Sequence, residues 1–219
     1  MDLLLSLLFF LIGVTFGSFF NVVGLRMPKN ESFTVGRSYC PTCKKTLHWY
    51  ELIPVLSYLI QGGKCRKCNT RISPMYPVIE IATGILFLFS YRTIGLDWEL
   101  AVALLLVSML MIIFVTDIRY MIIPNKVLLF FLPFFIVLRI LTPLEPWWSP
   151  IAGALAAGFL LALIILVSRG GMGAGDMKLF GVLGIILGLQ NVLLALFLAS
   201  FIGAVIGILL IAFKMIERK

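Results

Sequence analysis

The sequence predicts an all-α polytopic membrane protein of about seven transmembrane helices, with a small cytoplasmic four-cysteine domain resembling a zinc ribbon between helices one and two. Three observations lead there. Of 219 residues, 61% are hydrophobic and 13% charged, and a mean hydropathy of +1.10 exceeds what a water-facing surface tolerates. The apolar residues gather into stretches near the roughly 20 residues that cross a hydrocarbon core. All four cysteines fall in the one sizeable polar segment, as Cys40-Pro41-Thr42-Cys43 and Cys65-Arg66-Lys67-Cys68.

In chain order, the apolar stretches run near 2–25, 75–92, 99–116, 121–141, 150–168, 177–190 and 192–213. The first reads as a retained helix and not a cleaved signal peptide, because Asp2 stands where a basic n-region belongs and the stretch outruns a signal's apolar core. Those at 75–92 and 177–190 are short or interrupted by charge, which suits tilted, re-entrant or protein-buried segments. The expected organisation is a first helix at 1–25, a cytoplasmic four-cysteine domain at 26–74 and a membrane bundle at 75–219.

Basic residues set the expected orientation, since short cytoplasmic loops retain Lys and Arg. With the N-terminus outside and the C-terminus inside, 16 of the 18 basic residues lie on the cytoplasmic side, and only Arg92 and Arg139 fall elsewhere. The net charge of +8 is therefore a topogenic signal, and no basic stripe remains for nucleic acid. Trp147 and Trp148, in the outer loop after Pro146, suit an interfacial aromatic anchor.

In the cysteine loop, twenty-one residues separate the two Cys-x-x-Cys pairs, close to the spacing at which two knuckles give four thiolates to one tetrahedral ion. In a reducing cytosol disulfides are disfavoured, and structural Zn2+ on Cys40, Cys43, Cys65 and Cys68 would supply the folding energy that a small apolar core lacks. Metal-free thiols and a redox dithiol are the alternatives; no thioredoxin-like context supports the latter. His48, the one histidine, is expected to pack beside Trp49 and Tyr50. A single histidine argues against a His-based metalloprotease or a Ser-His-Asp site, and neither sequence motif occurs.

Among the ten acidic residues, Asp2, Glu31, Glu51, Asp97, Glu99, Glu145 and Glu217 fall where a solvated role suffices. Glu80, Asp117 and Asp176 remain. Asp117 is expected at the inner end of the third span and Asp176 at the inner entrance of the sixth. Carboxyls brought together at that depth would share a proton, so that one activates water while the other protonates a substrate, as in aspartyl hydrolysis. Gly173 and Gly175, in the run Gly171-Met172-Gly173-Ala174-Gly175-Asp176, would let an extended chain approach the carboxylate. Neither phosphate-loop spacing is satisfied. Structurally, Asp176 could be a helix cap and Asp117 the partner of Arg119 or Lys178. Glu80, a turn inside the second span, could bond neighbouring helices or a polar substrate.

These motifs together resemble the type IV prepilin peptidases, integral-membrane aspartyl proteases of the Gly-x-Gly-Asp type. The resemblance runs through Gly17-Ser18-Phe19-Phe20-Asn21-Val22-Val23 and Arg26-Met27-Pro28, then Cys40 to Cys43, Glu51 to Tyr58, Cys65 to Cys68, and Ile72-Ser73-Pro74-Met75-Tyr76-Pro77-Val78-Ile79-Glu80. It continues with Asp117 ahead of Ile123-Pro124-Asn125, and Gly173-Ala174-Gly175-Asp176-Met177-Lys178-Leu179. It implies catalysis by Asp117 and Asp176, with Glu80 and Lys178 as candidate substrate contacts. It further implies cleavage after a glycine of the short basic leader of type IV prepilins or pilin-like proteins, at the cytoplasmic face of a bacterial inner membrane. Methylation of the new N-terminus from S-adenosylmethionine is implied for many members. Asn125 departs from the aspartate common after Ile-Pro and leaves both catalytic positions intact. Two other classes compete: a proton- or cation-coupled transporter using the acidic residues, which leaves the cysteine loop unexplained, and an adaptor holding a partner through that loop.

Overall fold

The computed structural model describes residues 2–32, 37–168 and 173–213, which are helical apart from turns and two isolated bridges in the cysteine loop. The helices are α1 (Asp2–Arg26), a short α2 (Leu56–Ile60), α3 (Met75–Ile94), α4 (Trp98–Tyr120), α5 (Asn125–Leu141), α6 (Ser149–Val167) and α7 (Ala174–Ala212). The chain divides into two compact units, 1–131 and 132–219.

Within the first unit, α1 shows how a helix is solvated by lipid. Its buried positions include Ser6, Gly13, Gly17, Asn21 and Gly24, while Leu3, Leu4, Leu7, Leu11, Phe16 and Phe19 are exposed. In water that arrangement would be inside out; between lipid tails, close backbone packing through small residues supplies the association energy. A Cβ added at Gly13 would lie 2.8 Å from the Gly84 Cα, and one at Gly17 2.8 Å from the Glu80 Cα. Asn21 Nδ2 donates to the Tyr76 carbonyl at 3.2 Å. As α1 advances from Gly13 to Asn21, α3 retreats from Gly84 to Tyr76, so the pair is antiparallel. At its lower end α1 meets α4: a Cβ on Gly24 would collide with Val115, and Tyr120 Oη donates to the Leu25 carbonyl at 2.9 Å.

In the second unit, α6 and α7 cross as closely. A Cβ on Gly153 would lie 2.8 Å from the Gly184 carbonyl oxygen. Ala157, Leu161, Ile186 and Val192 are fully enclosed.

Among the described residues five helices, α1, α3, α4, α6 and α7, are long and apolar enough to cross a membrane. The expected seven stretches appear as six helices. α5, at 17 residues with Pro133 inside, is shorter than the other five. The last two stretches form the single 39-residue α7, bent at Gly188, whose φ of 75° and ψ of 178° interrupt the helix. The sequence places a boundary there because Gln190 and Asn191 break the apolar run, whereas the backbone turns two residues earlier, at the residue that tolerates positive φ. Gly171 and Met172 of the glycine run, and Arg169, Lys214, Arg218 and Lys219 of the orientation argument, lie outside the described residues.

Candidate metal centre and candidate active site

The two Cys-x-x-Cys segments fold alike, residue for residue. The Cys40 amide donates to the Lys45 carbonyl and the Lys44 amide to the Cys40 carbonyl, both at 2.9 Å; Cys65 with Thr70, and Asn69 with Cys65, repeat both bonds at 2.9 Å. Lys44 and Asn69 each turn the chain through left-handed φ of 55°. Single bridges, Tyr39 to Thr46 and Lys64 to Arg71, close the two loops. Each loop thus aims its paired thiols at one point.

All four sulfurs lie within 4.8 Å of one another. Cys40 Sγ and Cys68 Sγ are 3.7 Å apart, and Cys43 Sγ and Cys65 Sγ 3.9 Å. A tetrahedral site with metal–sulfur bonds of about 2.3 Å has edges of about 3.8 Å, so the donor set fits one ion, whereas a disulfide needs about 2.05 Å. The surroundings favour thiolate at two positions. The Thr70 hydroxyl and then its amide hold the Cys68 thiol down at about 6, and the Cys43 and Thr42 amides lower Cys40. Cys43 is pushed up to about 11: the Lys45 amide favours its thiolate, but desolvation and the neighbouring sulfurs outweigh it. A metal cation held by Cys40, Cys43, Cys65 and Cys68 would favour all four as thiolates.

Glu51 corrects the expectation of a solvated role. It is buried, accepting from Lys45 Nζ at 3.0 Å and from the His48 amide at 2.9 Å. The His48 amide, with Lys45 beside it, keeps the carboxyl below its usual range. The ion pair ties the first cysteine loop to the turn at 49–51, six residues on. His48 stacks on Tyr50 with centroids 5.3 Å apart, as expected, and lies outside the sulfur cluster.

Asp117 sits in the last turn of α4, exposed, where Met121 adopts left-handed φ of 54° and its amide closes on the Asp117 carbonyl at 2.8 Å. Its side chain makes no ion pair with Arg119 among the described residues. Asp176 is half-buried in the first turn of α7. Gly173 holds the cap position, so Asp176 is not the cap; its amide donates to the Gly173 carbonyl at 3.2 Å. A Cβ on Gly173 would come within 3.7 Å of Asp176 Oδ2, an ordinary van der Waals contact, so Gly173 lies directly beside the carboxylate. Gly175 and an exposed Lys178 flank it on α7. The two aspartates belong to different units, each at a helix end.

Glu80, buried in α3, accepts from the Val55 amide at 2.7 Å. Val55 has φ of 59° and ψ of −53°, and the Leu56 amide reaches back to the Pro54 carbonyl at 2.6 Å. This is a three-residue γ-turn, strained for a β-branched residue. Sequence reasoning missed the Val55 turn; Pro54 ahead of a short apolar run was the one local hint. It also missed Arg139, buried at the end of α5 and bonded to the Ile186 carbonyl.

The fold and these sites define a multi-pass helical membrane protein with four thiols placed where they could hold one metal ion and with carboxylates at two helix ends. Residues 11–94 match the Bacterial Peptidase A24 N-terminal domain, and residues 104–208 match the Type IV leader peptidase family. A protein of Bacillus subtilis (strain 168) named prepilin leader peptidase/N-methyltransferase is 46% identical over 205 residues, covering 93% of this chain and 82% of the relative. Proteins of the same name from Myxococcus xanthus (strain DK1622) and Klebsiella pneumoniae are 36% and 33% identical, covering 95% and 87% of this chain and 64% and 89% of theirs. No solved structure matches. The chain belongs to the type IV leader peptidase family.

Proposed function

We propose that this protein is an aspartic endopeptidase that removes the leader of type IV prepilins or pilin-like proteins after a glycine, with Asp117 and Asp176 as its catalytic pair. The observation that carries the reading is that both aspartates lie in the span matching the leader peptidase family, each in the terminal turn of a helix. One carboxylate takes a proton from water as its oxygen attacks the scissile carbonyl; the other, protonated, delivers a proton to the leaving amine as the C–N bond breaks. Gly173 and Gly175 give the substrate backbone room, and Lys178 suits a peptide carbonyl or carboxylate.

Zinc is the ion that four thiolates at tetrahedral spacing suit, in a structural role with no open position for chemistry. We assign 26–74 to that cytoplasmic domain and 75–219 to the peptidase bundle, in a bacterial inner membrane with the N-terminus outside and the C-terminus inside. The basic residues then serve topology and not nucleic acid. The relatives' second named activity supports methylation of the new N-terminal amine, with S-adenosylmethionine as co-substrate. Incubating the solubilised protein with a prepilin and S-adenosylmethionine, followed by mass analysis of the product's N-terminus, tests both activities. Loss of the leader with an added methyl is expected; an intact precursor would refute the peptidase, and cleavage without methyl the second activity.

A further inference from the structure

The segment from Leu52 to Ile60 presents five exposed aliphatic side chains outside the long helices. Leu52 and Ile53 are exposed, and on α2 Leu56, Leu59 and Ile60 are 56, 66 and 73% exposed. In a cytosolic loop such a patch would be a liability. Its depth accounts for it. The Val55 amide, one residue before α2, is fixed to Glu80 at 2.7 Å, and Glu80 packs against Gly17 of α1. α1 continues from Gly17 to Arg26, nine residues or about 13 Å at 1.5 Å each. The Val55 turn therefore reaches well above the cytoplasmic end of α1, alongside the bundle.

We propose that Leu52–Ile60 is a re-entrant wedge whose apolar side chains enter the acyl chains of the cytoplasmic leaflet, with Glu80 satisfying the backbone amide that the dip would otherwise leave unpaired. Two observations favour lipid as the occupant. One is that α3, which holds the wedge through Glu80, itself presents Val78, Ile81 and Ile85 as exposed apolar side chains. Lys64, Arg66 and Lys67, exposed just after α2, complement anionic headgroups at its rim. The γ-turn suits the dip, because it reverses the chain in three residues and closes its own bond from Leu56 to Pro54. The proposal rests on the membrane reading of the long helices and adds a contact that those helices do not supply.

The test uses the full chain with Trp49, Trp98, Trp147 and Trp148 replaced by Phe and one new tryptophan, Leu59→Trp or Ile60→Trp, in bilayer nanodiscs of phosphatidylethanolamine and phosphatidylglycerol. Phospholipids brominated on the acyl chains should remove most of the emission of either variant, and aqueous iodide should leave it intact. Quenching of both variants by iodide and by neither brominated lipid would overturn the wedge. Iodide quenching that disappears only when a prepilin is added would also overturn it, by assigning the surface to the substrate. Phe89→Trp, exposed in the body of α3, separates the two readings. If brominated lipid leaves that variant unquenched as well, the membrane placement of α3 fails and the wedge with it; if it quenches only Phe89→Trp, the wedge alone fails.

Discussion

Arg139 Nε donates a hydrogen bond of 2.8 Å to the carbonyl oxygen of Ile186, an oxygen close to the point where α7 breaks at Gly188. The bend frees backbone groups that an unbroken helix would pair internally. Ser149 Oγ, at the start of α6, accepts from the Leu189 amide at 3.0 Å on the other side of the bend. Two side chains from two other helices thus satisfy the break, and a cation in an apolar bundle acquires a structural reason to be there.

Replacing Arg139 by Met should therefore leave the Ile186 carbonyl buried without its donor and cost about 1–3 kcal/mol. Thermal unfolding in detergent reads this as a lowered midpoint. Ser149→Ala should lower it less, because a neutral bond is weaker than a charge-assisted one. An unchanged midpoint for Arg139→Met would refute the role of Arg139 at the bend.

The glycines give a paired comparison. Gly153→Ala places a methyl 2.8 Å from backbone atoms of α7, whereas Gly158→Ala meets nothing within 4 Å. The first should destabilise by about 1–3 kcal/mol through overpacking, while the second is expected to be neutral. Equal midpoints for the two variants would contradict the close crossing of α6 and α7.

The thiols carry a pH dependence whose sign follows from their shifts. Cys68 is lowered to about 6 from 9.0, so its contribution to the metal-free loop is present above 9.0 and lost as pH falls through 6. Cys43, raised to about 11, stabilises below 9.0 and loses its contribution as pH rises through 11. Stepwise alkylation of the metal-free protein, mapped by mass spectrometry, should label Cys68 first at neutral pH and Cys43 last. The reverse order would show that the amides and Thr70 do not govern the site.

Chelation should open the domain between 37 and 74 to protease while leaving the long helices intact, because two isolated bridges and one ion pair are a small replacement for a bound ion. Cys40→Ser with Cys65→Ser should reproduce that pattern and release the metal. Full metal retention by the double variant would exclude the four-thiol site.

What the sequence made legible was whatever local spacing encodes. The two Cys-x-x-Cys pairs announced a shared site because each knuckle is built from a few consecutive residues, and the structure repeats it bond for bond. The apolar stretches announced helices because length and hydropathy are local too. The bend at Gly188, the burial of Arg139 and Glu51, and the Val55 turn held by Glu80 depend on partners 25 to 47 residues away or on the strain one contact can hold, except the Glu51–Lys45 pair, which needs only a tight turn. Arg139, one of the two basic residues expected away from the cytoplasmic side, is also a bond to the bent helix. Asp117 and Asp176 were singled out by their rarity in apolar stretches, and their helix-end positions followed from where those stretches stop.

The proposed peptidase needs both of those carboxylates. Its most direct test is cleavage of a solubilised prepilin by wild type, Asp117→Asn and Asp176→Asn, each first shown to keep its metal and its unfolding midpoint. Both substitutions should reduce cleavage by about a hundredfold or more, since each removes an acid-base group the other cannot replace. Near-normal cleavage by either folded variant would contradict the dyad.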